Sequence, residues 1–292
     1  MFQGVSVALV TPFQNNVVDE SALRKLVGHL LDQGVHGLFP TGCTGEAATL
    51  STEEKERVWR VVLEEARGRA FVVAGTGTND TASTIELTRR AAGMGVDGCM
   101  LIAPYYNKPS PAGLEHHYLS VADAVDVPLV IYNVPGRTGV NIRPETVARI
   151  ARHPRVRAIK EASGSVDQVT EVLCSTDLTV LSGDDSLTLP MAAAGAHGVV
   201  SVLGHVAARD TVAMLEHHAK GRVGEAAAIH RRLYPVVQAL FAESNPGPVK
   251  AALCRLGLIA NELRAPMVPV GAATAARVEE ALEVAGLMPA TA

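Results

Sequence analysis

A lysine closing an apolar run is the residue with the most chemical content in this sequence. Lys160 follows Val156, Ala158 and Ile159, and a lysine set among apolar walls meets a costly burial of charge. Desolvation lowers the pKa of such a group, and the free amine can then attack a ketone to form an imine. The structural alternative is an ion pair with Glu161, or with Asp184 or Asp185. Tyr132 ends the preceding apolar run and could serve imine chemistry as a general acid and base; equally it could be a satisfied core tyrosine. Arg137 follows in the loop Val134-Pro135-Gly136-Arg137-Thr138-Gly139. Its planar guanidinium suits bidentate capture of a carboxylate, unless a loop salt bridge occupies it. Cys43-Thr44-Gly45-Glu46 sets small side chains and backbone N–H groups before a helix, either a carboxylate cradle or only a tight turn. A nucleophilic lysine and an anion cradle make chemical sense together for a keto acid.

Other motifs fail. Gly75-Thr76-Gly77 is followed at the next required position by Asp80, so the dinucleotide fingerprint is absent, and no lysine precedes Ser or Thr as a Walker A loop requires. Asp184-Asp185 could hold a metal, but lysine chemistry needs none, and neither metal nor cofactor is expected. His116-His117 and His217-His218 are adjacent pairs on helical patterns and read as surface residues. Cys43, Cys99, Cys174 and Cys254 form no C-x-x-C pair, which fits reduced cysteines of a cytoplasmic protein better than a disulfide framework. A net charge of −4 with scattered Lys and Arg gives no field for a nucleic-acid backbone. No apolar run approaches the ~18 residues of a membrane span, and the N-terminus lacks a basic leader. A small-molecule substrate fits best.

These side chains need a scaffold that brings distant run-ends together. Candidate strands are Val5–Val10, Gly37–Thr41, Phe71–Gly75, Gly98–Ile102, Leu129–Asn133, Val156–Glu161, Thr179–Ser182 and Gly198–Ser201. Their starts lie roughly 19 to 34 residues apart, room for one crossover helix each time. Continuous runs such as Leu129-Val130-Ile131 suit strands buried on both faces. Ser51-Thr52-Glu53-Glu54 and Asp80-Thr81 are helix starts, Pro111 and Pro144 fit a first helical turn, and Gly68 lies just past a helix end. Eight similar parallel units favour closure into a (β/α)8 TIM barrel over an open doubly wound sheet. The barrel is expected over residues 1–206. Helical patterns at 207–218, 223–243, 247–258 and 272–286 form an expected C-terminal helical domain over 207–292. Barrel enzymes build their sites at the C-terminal strand ends, where Lys160, Tyr132, Arg137 and Cys43–Glu46 fall.

The same residues resemble the pyruvate-dependent Schiff-base (class I) aldolases, over nearly the whole chain from Val10-Thr11-Pro12-Phe13 to the last helices. The G-x-T-G-E turn at Gly42–Glu46 and the lysine ending the sixth strand mark the family. Tyr132–Gly139, Pro104-Tyr105-Tyr106-Asn107 and Ser182-Gly183-Asp184-Asp185 resemble one synthase branch of it more closely. The resemblance implies a lyase in which Lys160 forms an imine with pyruvate and Tyr132 moves protons. It implies that Thr44 binds pyruvate's carboxylate, that Val200 and Gly183 line the same pocket, and that Arg137 holds the carboxylate of aspartate 4-semialdehyde. It further implies that Tyr106 reaches into a neighbouring subunit's site, usually in a homotetramer built as a dimer of dimers. At Cys43 the branch usually carries threonine, whose hydroxyl links the two tyrosines in a proton relay; a thiol is a weaker donor. Two other readings remain at this point: a sibling aldolase acting on a sugar acid or 4-hydroxy-2-oxoglutarate, and a non-catalytic binding protein on the same barrel.

Overall fold

In the computed structural model, which describes residues 1–288, ten strands form in chain order. They are β1 (Gly4–Val7), β2 (Phe13–Gln14), β3 (Val17–Val18), β4 (Gly37–Leu38), β5 (Phe71–Gly75), β6 (Gly98–Ile102), β7 (Leu129–Asn133), β8 (Val156–Glu161), β9 (Thr179–Ser182) and β10 (Gly198–Ser201). Eight of them close a parallel barrel in the order β1-β10-β9-β8-β7-β6-β5-β4. Their near-continuous apolar sequences fit burial on both faces, against the barrel interior on one side and the helices on the other. Leu101, Val130, Ile159, Val180 and Leu181 are all buried in one continuous core with helix residues such as Trp59, Leu26 and Leu30.

The expected helix signals hold. Ser51 and Glu54 form a reciprocal capping box for the helix Thr52–Ala66. Asp80 caps Thr81–Gly93 through the Ser83 N–H, Pro111 and Pro144 sit in first turns, and Gly68 takes φ 70° beyond the second helix. Four corrections follow from local geometry. β1 ends at Val7 and not at Val10. The regular part of β4 ends at Leu38; Phe39 and Pro40 still bond Val7, Leu9 and Gly75, and the chain leaves the ladder at Thr41, left-handed at φ 55°. Phe13–Gln14 and Val17–Val18 form an antiparallel hairpin absent from the expected strands, turned by Asn15 and Asn16 at φ 53° and 62°. Of the histidines expected at the surface, His117 is buried, edge-on to Tyr118 and bonded to Thr81.

After β10 come the helices Gly204–Ala219, Val223–Leu240, Gly247–Arg255 and Ala272–Val284. The first breaks its helical geometry at Ala207 and packs on both β1 and the following helix. It thus joins the barrel's outer ring to the C-terminal helices. No helix among the described residues is long and apolar enough to cross a membrane.

Candidate active site

Strand register builds the centre of the site. β7 and β8 pair in parallel with Tyr132 beside Lys160 and Asn133 beside Glu161. Because side chains alternate along a strand, the first pair faces one way and the second the other. The register depends on an irregularity: Leu129 pairs with Val156, yet Val130 pairs with Ala158, so Arg157 is looped out of the ladder. The Lys160 Nζ lies 4.3 Å from the Tyr132 ring centroid. Lys160 is 5% exposed, and burial pulls its pKa down to about 8 against the opposing pull of Cys43, Asp185 and Asp184. Burial, with Cys43 next in weight, raises the Tyr132 phenol well above its ordinary value.

Two of the alternative partners of Lys160, Glu161 and Asp185, are occupied elsewhere. Glu161 accepts from Asn133 Nδ2 at 3.0 and 3.1 Å, from Gln168 Nε2 at 3.2 Å and from the Ser163 N–H at 2.8 Å. Asp185 accepts from Ser201 Oγ at 2.5 Å and from the Val202 and Leu203 N–H groups, each at 2.9 Å. Asp184 is partly buried, and desolvation raises its pKa. Gly183 is a spatial necessity: a Cβ there would stand 2.6 Å from Ala162 Cβ and 3.2 Å from Lys160 Cε. Among the described residues, no group of three or more His, Cys, Asp or Glu is placed to share a metal ion.

The second part is the turn after β4. Thr41, held by Trp59 Nε1 at 2.7 Å and donating to the Gly75 carbonyl at 3.0 Å, starts it in a left-handed conformation. Gly75 must be glycine, since a Cβ would lie 2.3 Å from the Thr41 carbonyl oxygen. Within the turn Gly45 and Ala47 donate to the Gly42 carbonyl and Glu46 to that of Cys43, at 3.1, 3.3 and 3.1 Å. Among the described residues no acceptor faces the N–H groups of Cys43 and Thr44. Two adjacent free donors make a seat for an anion. Thr44 Oγ1 accepts from Asn245 Nδ2 at 2.8 Å, which leaves its own proton to donate.

A 460 Å³ cavity opens at this end of the barrel, walled by Cys43, Tyr105, Tyr132 and Arg137 from the barrel and by Asn245 and Met267 from the C-terminal segment. Lys160, Thr44, Gly183 and Val200 are not on that wall; Val200 is buried in β10, and Lys160 meets the cavity through the ring of Tyr132. Arg137 is exposed and donates to the Asn245 carbonyl at 3.1 Å; no carboxylate pairs with it among the described residues. Tyr106 stands apart, 89% exposed and left-handed at φ 73°. Sequence reasoning missed Asn245, Met267 and the buried pair of Glu46 with Lys250. Asn245-Pro246 was readable as a turn signal, but not as a turn that folds back over the barrel mouth.

A closed (β/α)8 barrel that keeps a lysine amine easily deprotonated beneath a tyrosine, with an anion seat nearby, defines a class: barrel enzymes suited to amine–carbonyl chemistry. More particularly, the chain belongs to the dihydrodipicolinate synthetase family, whose sequence model matches residues 1–285. It is 47% identical over 290 residues to a 4-hydroxy-tetrahydrodipicolinate synthase of Pelobacter propionicus, covering 99% of this chain and 100% of that one. A protein of the same name from Citrifermentans bemidjiense is 48% identical over 95% of this chain and 96% of its own. Among solved structures, dihydrodipicolinate synthase from Aquifex aeolicus superposes with a TM-score of 0.97 at 39% identity, covering 99% and 100% of the two chains. A monomeric variant of dihydrodipicolinate synthase superposes with the same TM-score at 41% identity, over 98% of each chain.

Proposed function

We propose that this protein condenses pyruvate with L-aspartate 4-semialdehyde to give 4-hydroxy-tetrahydrodipicolinate, holding pyruvate as an imine on Lys160. The observation that carries the reading is Lys160 itself, buried beside Tyr132 with its pKa drawn down to about 8. Such an amine is free often enough near neutrality to attack a ketone. It adds to C2 of pyruvate and water leaves. Loss of a methyl proton gives the enamine, whose carbon attacks the aldehyde, and the aldehyde oxygen takes up a proton. The semialdehyde's amino group then adds to C2, closes the ring and displaces Lys160 as the free amine. Tyr132 moves the protons.

Thr44 and its N–H, with that of Cys43, seat the pyruvate carboxylate, while Gly183 and Val200 shape the space around the imine. Arg137 holds the semialdehyde carboxylate at the outer wall. Cys43 stands between Tyr132 and the Tyr106 of a neighbouring subunit. An exposed tyrosine held in a left-handed backbone supports a partner surface there, and we assign a homotetramer built as a dimer of dimers. We place the enzyme in the cytoplasm, in lysine and diaminopimelate synthesis, with residues 1–206 as the catalytic barrel and 207–292 as the helical domain, residues 289–292 lying outside those the structure describes. The reaction draws on no metal or cofactor.

Borohydride reduction in the presence of pyruvate tests the core of this reading. The expected result is a stable adduct with the mass of reduced pyruvate on the Lys160 peptide. Absence of label, or label on another lysine, rules the mechanism out.

A further inference from the structure

The turn that carries Thr44 is gripped from a part of the chain more than two hundred positions away. Glu46 ends the turn in a left-handed conformation at φ 53°, a state that a non-glycine residue keeps only when its surroundings impose it. Both of its carboxylate oxygens are held by the C-terminal segment. Lys250 Nζ donates to Oε1 at 2.5 Å and the Arg264 N–H to Oε2 at 3.0 Å. Lys250 is fully buried in the helix Gly247–Arg255, and its ammonium also donates to the Glu262 carbonyl at 2.8 Å and lies 4.3 Å from the Phe13 ring. Next to that helix, Asn245 donates to Thr44. The proposed chemistry uses neither Lys250 nor Glu46, yet a fully buried ion pair is a costly feature to maintain for stability alone.

We infer that Lys250 and Glu46 are a positioning pair for the pyruvate seat: the pair pins the end of the Gly42–Glu46 turn so that the free N–H groups of Cys43 and Thr44 converge on one carboxylate. The inference rests on the proposed imine chemistry. It assigns the C-terminal helices a share in substrate binding, because a barrel without them keeps Lys160 and Tyr132 but not the grip on the turn. Loss of the pair loosens pyruvate binding while leaving the amine, the tyrosine and Arg137 in place.

The test removes both charges together, since breaking one side alone leaves an uncompensated buried ion. Glu46→Gln/Lys250→Met is compared with wild type for the pyruvate concentration that half-saturates borohydride trapping on Lys160, and for the KM of the semialdehyde. The expected result is at least a 10-fold rise in half-saturating pyruvate, with the semialdehyde KM within about 2-fold of wild type. A folded double variant with unchanged pyruvate half-saturation overturns the inference. Should the double variant not fold, Glu46→Asp decides, because it keeps the charge and shortens the reach by one methylene. A rise of 3-fold or more with the melting temperature unchanged supports the pair's role, and an unchanged half-saturation refutes it. Wild type is the control that separates the two ideas: if wild type itself traps no pyruvate, the imine reading fails, whatever the variants do.

Discussion

Replacing Lys160 by methionine should abolish imine formation and make the protein more stable at neutral pH. Burial takes the Lys160 pKa from its ordinary 10.5 to about 8. A lysine whose folded pKa is depressed binds its proton more weakly in the folded chain than in the unfolded one. It therefore destabilises the fold fully below pH 8, and the penalty fades as pH rises from 8 through 10.5. A shift of roughly 2.5 units corresponds to about 3 kcal/mol. Methionine keeps the unbranched shape but forfeits the ammonium's contact with the Tyr132 ring, 4.3 Å away, worth about 1 kcal/mol. The net gain is then about 2 kcal/mol at pH 7, or roughly 3 °C in Tm for a chain of this size. At pH 9.5 about 1 kcal/mol of it should remain, because the folded amine is already neutral and the unfolded one is not. Thermal melts of both proteins at pH 7 and pH 9.5 read this directly. A lower Tm for Lys160→Met at pH 7 would mean that the folded protein stabilises the ammonium, and the account of an easily freed amine would collapse. A gain that does not change with pH would trace the effect to shape and not to charge.

Two further substitutions probe the outer site. Arg137→Ala should lower kcat/KM for aspartate 4-semialdehyde about 10- to 150-fold, the loss of a charge-assisted contact worth roughly 1.5–3 kcal/mol, while borohydride trapping of pyruvate stays near wild type; an unchanged kcat/KM would make Arg137 structural. Cys43→Thr should raise kcat if Cys43 serves the proposed relay between Tyr132 and a neighbour's Tyr106, since a hydroxyl donates more strongly than a thiol; a fall in steady-state turnover would show that the thiol suits this enzyme's own chemistry.

The sequence exposed most of the barrel because a buried parallel strand leaves a local mark: a short apolar run between a helix end and a turn. Six of the eight barrel strands have the bounds read from their runs. Where the mark is weak, the reading slipped. Thr41 is β-branched and looks like strand, but its hydroxyl bonds the Gly75 carbonyl and the backbone turns left-handed. The hairpin Phe13–Val18 has strands of two residues, too short for any alternation to register. Only Asn15-Asn16, a pair that tolerates positive φ, announced it. His117 misled because its neighbour His116 is exposed. Adjacent helical residues point about 100° apart, and His117 lies in the stripe of Leu114 and Val121, both buried. The C-terminal grip on the turn was invisible for another reason. Lys250 and Glu46 are 204 positions apart, and nothing in either neighbourhood marks a charged residue that will be buried by docking.

Even the legible pair, Lys160 and Tyr132, owes its meeting to a feature the sequence pattern hides. Counting on from Leu129 opposite Val156 without interruption would set Tyr132 beside Ile159 and Asn133 beside Lys160. The looped-out Arg157 shifts the ladder by one, and a one-residue shift changes which side chains share a face. In the shifted register, Lys160 meets an aromatic ring that shields it from water without neutralising it. Glu161 turns instead to the amides of Asn133 and Gln168, which offset part of the cost of burying its carboxylate. In the unshifted register, Lys160 would stand beside Asn133, the amide that now bonds Glu161, and would share that polar cluster as a charged ammonium. Its pKa would then have less reason to fall. The lowered pKa of Lys160 is thus a property of the bulge as much as of the lysine, and Arg157, itself exposed, contributes through the register it sets.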